Sequence, residues 1–303
     1  MEPYIVSPFL FVSILSLLYL RRAFKRRLPP GPPGYPVVGN IFDVDKDSFW
    51  VQYAEMSRTY DSDVISLNMA GNTVIILNTL EGVQELLEKR SAIYSDRPDY
   101  VMLNDLSGLS YHFAFMRYDE RWKEHRKLFK QEFQPPANEL HRPNITMAVR
   151  KMLPRLLESP ENFDHHLRHM NGMFVLSTSY GLDVQPTNDP YVSIGEKTLK
   201  AMAQAGNGTE YLVEHIPILK YLPDWMPGAR FKAVAKEWSE SVCALPRKPM
   251  EAVYQAMENG VPRSCVATRV LGAMDVDGER DPHQTQVLQN VLGAMYAAST
   301  DTA

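Results

Sequence analysis

DPHQTQVLQNVLGAMYAASTDTA, residues 281–303, decides how the rest of this chain is read. Asp281 suits a helix N-cap and Pro282 the first helical position, where a missing N–H costs nothing. Val287, Leu288, Val291, Leu292 and Met295 recur at three-and-four spacing, which predicts a helix with a buried apolar face. Ala294, Ala297, Ala298 and Ser299 make its far end small-sided, so a bound group could come close to the backbone there. Asp301 and Thr302 then set an acid beside a hydroxyl. Such a pair can relay protons to something held against Ala298 and Ser299, and it can equally cap the helix. No helix stop signal follows, so the chain reads as ending inside this helix.

The surrounding composition is that of a folded protein. Of 303 residues, 45% are hydrophobic and 22% charged, which argues against wholesale disorder. The formal net charge is −4; Arg21, Arg22, Lys25, Arg26 and Arg27 supply five positive charges, so the remainder carries −9. An acidic body offers no electrostatic footprint for nucleic acid, and none is expected as a partner. The two cysteines, Cys243 and Cys265, lie in no CxxC or Cys/His spacing. A disulfide framework and a structural zinc site are therefore not expected, and both thiols should pack as small hydrophobes.

PYIVSPFLFVSILSLLYL, residues 3–20, carries no charge and is long enough to cross a bilayer as a helix. RRAFKRR follows at once, and cations flanking a span stay on the cytosolic side. A cleaved signal would place the charge before the apolar run and show a small-residue cleavage site, so a retained anchor is expected. LPPGPPGYPVVGN, residues 28–40, is expected as a stiff, extended hinge between anchor and body. The division is then an anchor with its basic flank over 1–27, a hinge over 28–40, and a body over 41–303. Within the body, residues 49–60 have helical apolar spacing, and DVISLNMAGNTVIILN, 63–78, reads as a β-hairpin. Asn78 with Glu81 reads as a helix start of the capping-box kind. From about residue 117 the pattern is helical, broken at prolines.

RWKEHRKLFKQEF, residues 121–133, places Trp122 and Arg126 one turn apart on one helix face. An indole N–H beside a guanidinium suits a carboxylate or phosphate, although the same spacing also arises when Trp packs and Arg snorkels. His165, His166 and His169 lack any ligand pattern, and no metal site is expected. Glu139–Leu–His–Arg142 spells a short E-x-x-R that carries little information by itself.

Taken in order, these pieces resemble the amino-terminal part of a microsomal cytochrome P-450, a haem-thiolate monooxygenase, most similar to fungal members. The resemblance rests on the anchor, the proline-rich hinge, the hairpin, YSDRP at 94–98, W-x-x-x-R within FMRYDERWKEHRKLF, YLPDWMPGARFK at 221–232 and the terminal AASTDT. It implies a mainly α fold with a small β-sheet, truncated within the family's helix I and preceded by a transmembrane helix. It implies haem b as cofactor in the complete protein, with Trp122 and Arg126 on a propionate. It places Ala298 and Ser299 along an oxygen and substrate groove, and Asp301 and Thr302 as the proton-delivering acid–hydroxyl pair. Ser299 stands where the family most often has Gly, and Ala303 where a second hydroxyl is common. The cysteine loop that supplies the axial thiolate is absent from the sequence, so this chain as written is expected to be inactive.

The resemblance further implies a NADPH-dependent reductase, membrane lipid and an apolar small-molecule substrate as partners, at the endoplasmic reticulum membrane with the body facing the cytosol. Arg121, Lys123, Lys127 and Lys130 are the cations expected to steer the electron donor. The alternative reading is an inactive, membrane-anchored remnant that binds at most a ligand or partner. In either case the face of residues 287–298 is expected to lose burial, leaving a large apolar patch exposed.

Overall fold

The computed structural model describes residues 28–36, 38–45, 48–135, 138–206, 211–275 and 279–301. The expected anchor, residues 1–27, lies outside the described residues. Among those described, no helix is long and apolar enough to cross a membrane. The chain divides into two compact units, one ending at Arg90 and the other beginning at Ser91.

In the first unit, α1 (Phe49–Thr59) precedes the hairpin of β1 (Val64–Met69) and β2 (Asn72–Leu77). The strands pair antiparallel, from Val64 opposite Leu77 to Met69 opposite Asn72. Ala70 and Gly71 both take positive φ, +50° and +95°, which is the backbone a two-residue hairpin loop demands. Along β1 the side chains of Ile65, Leu67 and Met69 are buried, the alternation of a one-sided sheet. The helix α2 (Leu80–Val83) runs on into a π-helical turn, Gln84–Glu88. Its cap is Thr79, whose hydroxyl accepts from the Gly82 N–H, and not Asn78 as the sequence suggested.

The proline-rich stretch is no free spacer. Proline cannot donate to a strand, but its carbonyl can accept. The Ser66 N–H donates to Pro30 O at 2.9 Å and the Ser66 hydroxyl to Pro29 O at 2.6 Å. Asn40, 1% exposed, exchanges bonds with Asn68 through its own N–H and its side-chain oxygen. These bonds cover the edge of β1 that β2 leaves open.

The second unit is helical: α3 (Ser91–Tyr94), α4 (Glu120–Phe133), α5 (Asn138–Glu158), α6 (Phe163–Tyr180), α7 (Pro190–Gly206), α8 (Leu212–His215), α9 (Arg230–Glu258), α10 (Val266–Met274) and α11 (Pro282–Asp301). Asp281 caps α11, its carboxylate accepting from the His283 N–H at 2.8 Å, with Pro282 leading the helix as its sequence predicts. Leu176 of α6, Leu245 of α9, Leu271 of α10, and Leu288, Leu292 and Tyr296 of α11 share one core.

One expectation is overturned here. The face of residues 287–298 does not lose its burial: Val287, Leu288, Val291, Leu292, Ala294, Tyr296 and Ala297 are all buried. The reason is that α4, α6, α7, α9 and α10, all earlier in the chain, already surround this helix. Gly293 shows how closely. A Cβ there would lie 2.5 Å from Cβ of Pro246 on α9 and 3.3 Å from the ring of Tyr111.

Candidate functional site

The loop before α4 explains YSDRP. The Asp96 carboxylate accepts from the Tyr118 N–H at 2.9 Å and from Arg117, which also reaches Asp99. These donors, the Tyr118 N–H first, hold the Asp96 carboxyl below its ordinary pKa. The helix then opens on Asp119, whose side chain caps it by accepting from the Trp122 N–H at 2.9 Å. Trp122 is half-buried, its ring 5.1 Å from that of Tyr118.

Arg126 is exposed, with its guanidinium 5.3 Å from the Phe129 ring centroid. Lys123 on the same helix is paired with Glu120 at 2.6 Å, whereas Arg126 has no ion pair among the described residues. An arginine stacked on an aromatic ring and left without a counter-ion can take a carboxylate in two parallel hydrogen bonds.

Between Trp122 and Arg126 sits a residue that motif reading passes over. His125 is 1% exposed. Its Nδ1 donates to Arg121 O at 2.7 Å, so its Nε2 accepts from Asn290 Nδ2 at 3.0 Å across to α11. Asn290 Oδ1 in turn accepts from Gln286 Nε2 at 2.9 Å. Burial pushes the His125 pKa below its ordinary value, against the opposing pull of its bond to Arg121 O. The buried His125–Asn290 pair ties α4 to α11 where they cross. A polar Asn290 inside an otherwise apolar helical face was the signal available in the sequence.

Eight residues beyond Asn290, about 12 Å along the helix axis, Ala298 breaks the run of burial and is exposed. Ser299 is half-buried, and its hydroxyl donates to Tyr296 O at 2.9 Å, back onto its own helix. Thr300 donates to the same carbonyl at 3.0 Å, and Asn171 of α6 reaches Ser299 O at 3.4 Å. The backbone of Asp301 closes α11, and Thr302 lies outside the described residues. The structure thus brings the α4 pair and the small face of α11 onto two helices tied at a buried crossing.

The remaining candidates have structural roles. Cys265 caps α10 in a reciprocal capping box with Thr268, and Cys243 donates to Ser107 O at 3.9 Å. Glu139 and Arg142 form an exposed pair on α5 at 3.2 Å. His166 bonds Ser159 and His169 bonds Gln185 O. Among the described residues no cluster of three His, Cys, Asp or Glu is placed to hold a metal ion. The Arg126 guanidinium, without an ion pair among the described residues and next to half-buried Trp122, is a donor set of the kind that would suit the carboxylates of a haem.

The family model for cytochrome P450 matches residues 29–303. Tryptamine 4-monooxygenase of Psilocybe cyanescens is 35% identical over 284 residues, covering 93% of this chain and 56% of that protein. A cytochrome P450 monooxygenase of Armillaria gallica is 35% identical over 298 residues, 96% of this chain and 58% of that protein. Another, from Hericium erinaceus, is 35% identical over 274 residues, 90% and 51% respectively. The chain spans about half the length of these curated relatives. A match running from the proline-rich segment through α11 to residue 303, on a fold whose α4 presents an arginine without an ion pair beside a tryptophan, shows that this chain belongs to the cytochrome P450 family.

Proposed function

We propose that the full-length protein is a haem-dependent monooxygenase acting on an apolar small molecule with electrons from a reductase. The observation that carries this reading is Arg126, unpaired beside Trp122 on a helix locked to α11. When bound, haem with an axial thiolate supplies the oxidising chemistry. Trp122 and Arg126 would hold its carboxylates by charge-assisted hydrogen bonds. Ala298 and Ser299 would border the groove in which oxygen and substrate lie. Asp301 and Thr302 would move protons there, which is the role proposed for an acid beside a hydroxyl.

Residues 1–27 would anchor the protein in the endoplasmic reticulum membrane, with the body cytosolic. Of the cations expected to steer a reductase, Lys123 is paired with Glu120 and Arg121 donates to Ser110 O. Lys127 and Lys130 have no ion pair among the described residues. They are therefore the better candidates for steering. Charge reversal at both should slow reduction of the full-length protein at low salt and flatten its salt dependence.

The direct test is haem retention by the full-length protein. Arg126→Ala should weaken it by about tenfold or more, the worth of one charge-assisted bond. Unchanged haem content and unchanged loss to a haem-scavenging protein would remove Arg126 from this role.

A further inference from the structure

Three helices converge at the far end of α11, and two glycines let them come close. At Gly172 of α6 a Cβ would lie 3.3 Å from Cγ2 of Val192 on α7. At Gly195 of α7 it would lie 3.1 Å from Thr300 Oγ1 and 3.2 Å from Tyr296 Oη. Glycine is unfavourable inside a helix, so close approach is what it supplies here. Interiors packed this tightly pass a shift of one element to its neighbours.

The polar groups at this junction bond to one another. The Tyr296 hydroxyl donates to Tyr191 O at 2.5 Å and so ties α11 to α7. Ser299 and Thr300 both turn their hydroxyls back to Tyr296 O, and bonds of this kind bend a helix. The Ser299 carbonyl instead receives the side-chain amide of Asn171 on α6, at 3.4 Å and across 128 positions of sequence. A carbonyl has two lone pairs, so Asn171 can hold it whether or not the helix uses the other. Asn171 is half-buried and out of pattern for its surroundings. Gly172, Met173, Val175 and Leu176, which follow it, are buried, and α6 packs along α11.

Resting on the monooxygenase reading above, we propose that Asn171 is a positioning residue: its amide, on the Ser299 carbonyl, sets the rotation of the end of α11 and hence the width of the groove bordered by Ala298 and Ser299. Tyr296 holds this end toward α7, and Asn171 holds it toward α6. Two tethers on different sides fix a rotation that one alone leaves free. The tolerance is small. Cα atoms lie about 2.3 Å from a helix axis, so a rotation of about 25° moves them by about 1 Å. A displacement of that size changes how a bound molecule sits.

The test uses the full-length, haem-loaded protein, with haem content and thermal midpoint measured first. Cyanide and imidazole are titrated onto the ferric haem and followed by its absorbance. Both bind the iron, but imidazole needs more room beside Ala298. Asn171→Leu keeps the volume and removes the donor. It should change the ratio of imidazole to cyanide affinity by about two- to tenfold, the bias that one uncharged hydrogen bond can hold. Asn171→Gln, whose longer arm still carries the amide, should restore most of the wild-type ratio. A purely structural role would lower the midpoint and leave the ratio unchanged. If Asn171→Leu loads no haem, Asn171→Ala replaces it. A ratio unchanged in the donor-free variant, or changed as far in Asn171→Gln, overturns the proposal. Wild-type protein that takes up no haem overturns the monooxygenase reading itself, and this proposal with it.

Discussion

At the scale of single residues, two buried histidines set the response to acid. His112 and His125 each have a folded-state pKa below the unfolded value of about 6.5, in both cases chiefly through burial. The unfolded chain therefore binds more protons than the folded one once pH drops below about 6.5. For His112 that excess persists down to about 4. Stability should be fully present above about 6.5 and fall through this window, with His112 alone contributing on the order of 3 kcal/mol. Urea midpoints of wild type and His112→Phe at pH 7 and pH 5 check this. The variant should lose less on acidification, and equal losses would show that the imidazole is not held neutral. His125 adds a second readout. Asn290→Leu strips the buried Nε2 of its donor and should cost about 1–3 kcal/mol, read as a lowered urea midpoint at pH 7.

At the scale of elements, the crossing of α9 and α11 is governed by Gly293. Helix propensity disfavours glycine there by about 1 kcal/mol, yet any Cβ would meet Pro246. Gly293→Val should therefore destabilise by about 2 kcal/mol or more, because the helices must part. A thermal midpoint at or above wild type would show that the helices yield readily at this point. The start of α4 depends on its cap. Asp119→Ala removes the acceptor of the Trp122 N–H and should cost about 1 kcal/mol. That variant should also loosen the first turn, seen as faster amide exchange at Trp122 than at Leu128. Equal exchange at both would place the helix start under tertiary rather than capping control.

For the whole molecule, the proposed anchor makes a separable claim. Removing residues 1–27 should shift the protein from the membrane pellet to the supernatant on fractionation. Retention in the pellet would mean that the described residues bind lipid themselves. Exposed side chains such as Trp225 and Tyr221, 80% and 75% exposed, are where such binding would be sought.

Much of this fold is legible locally. The hairpin follows from alternation around Ala70–Gly71, and α11 from Asp281, Pro282 and the spacing of its apolar residues, because these signals act between near neighbours in the chain. The cap at Thr79, one residue past the expected Asn78, shows how such signals blur at an element's edge. Trp122 and Arg126 were legible as a pair, since a helix turn fixes their spacing. Other features depended on tertiary packing. The hinge docks on β1 because Pro29 and Pro30 carbonyls meet Ser66, which no pattern within residues 28–40 encodes. The face of α11 stays buried because helices from distant stretches converge on it. His125 meets Asn290 across 165 positions of sequence, and Asn171 meets Ser299 across 128. Periodicity and caps determined which segments become helix or strand. Where two helices cross, and which buried polar group then finds a partner, only the packed three-dimensional structure decided.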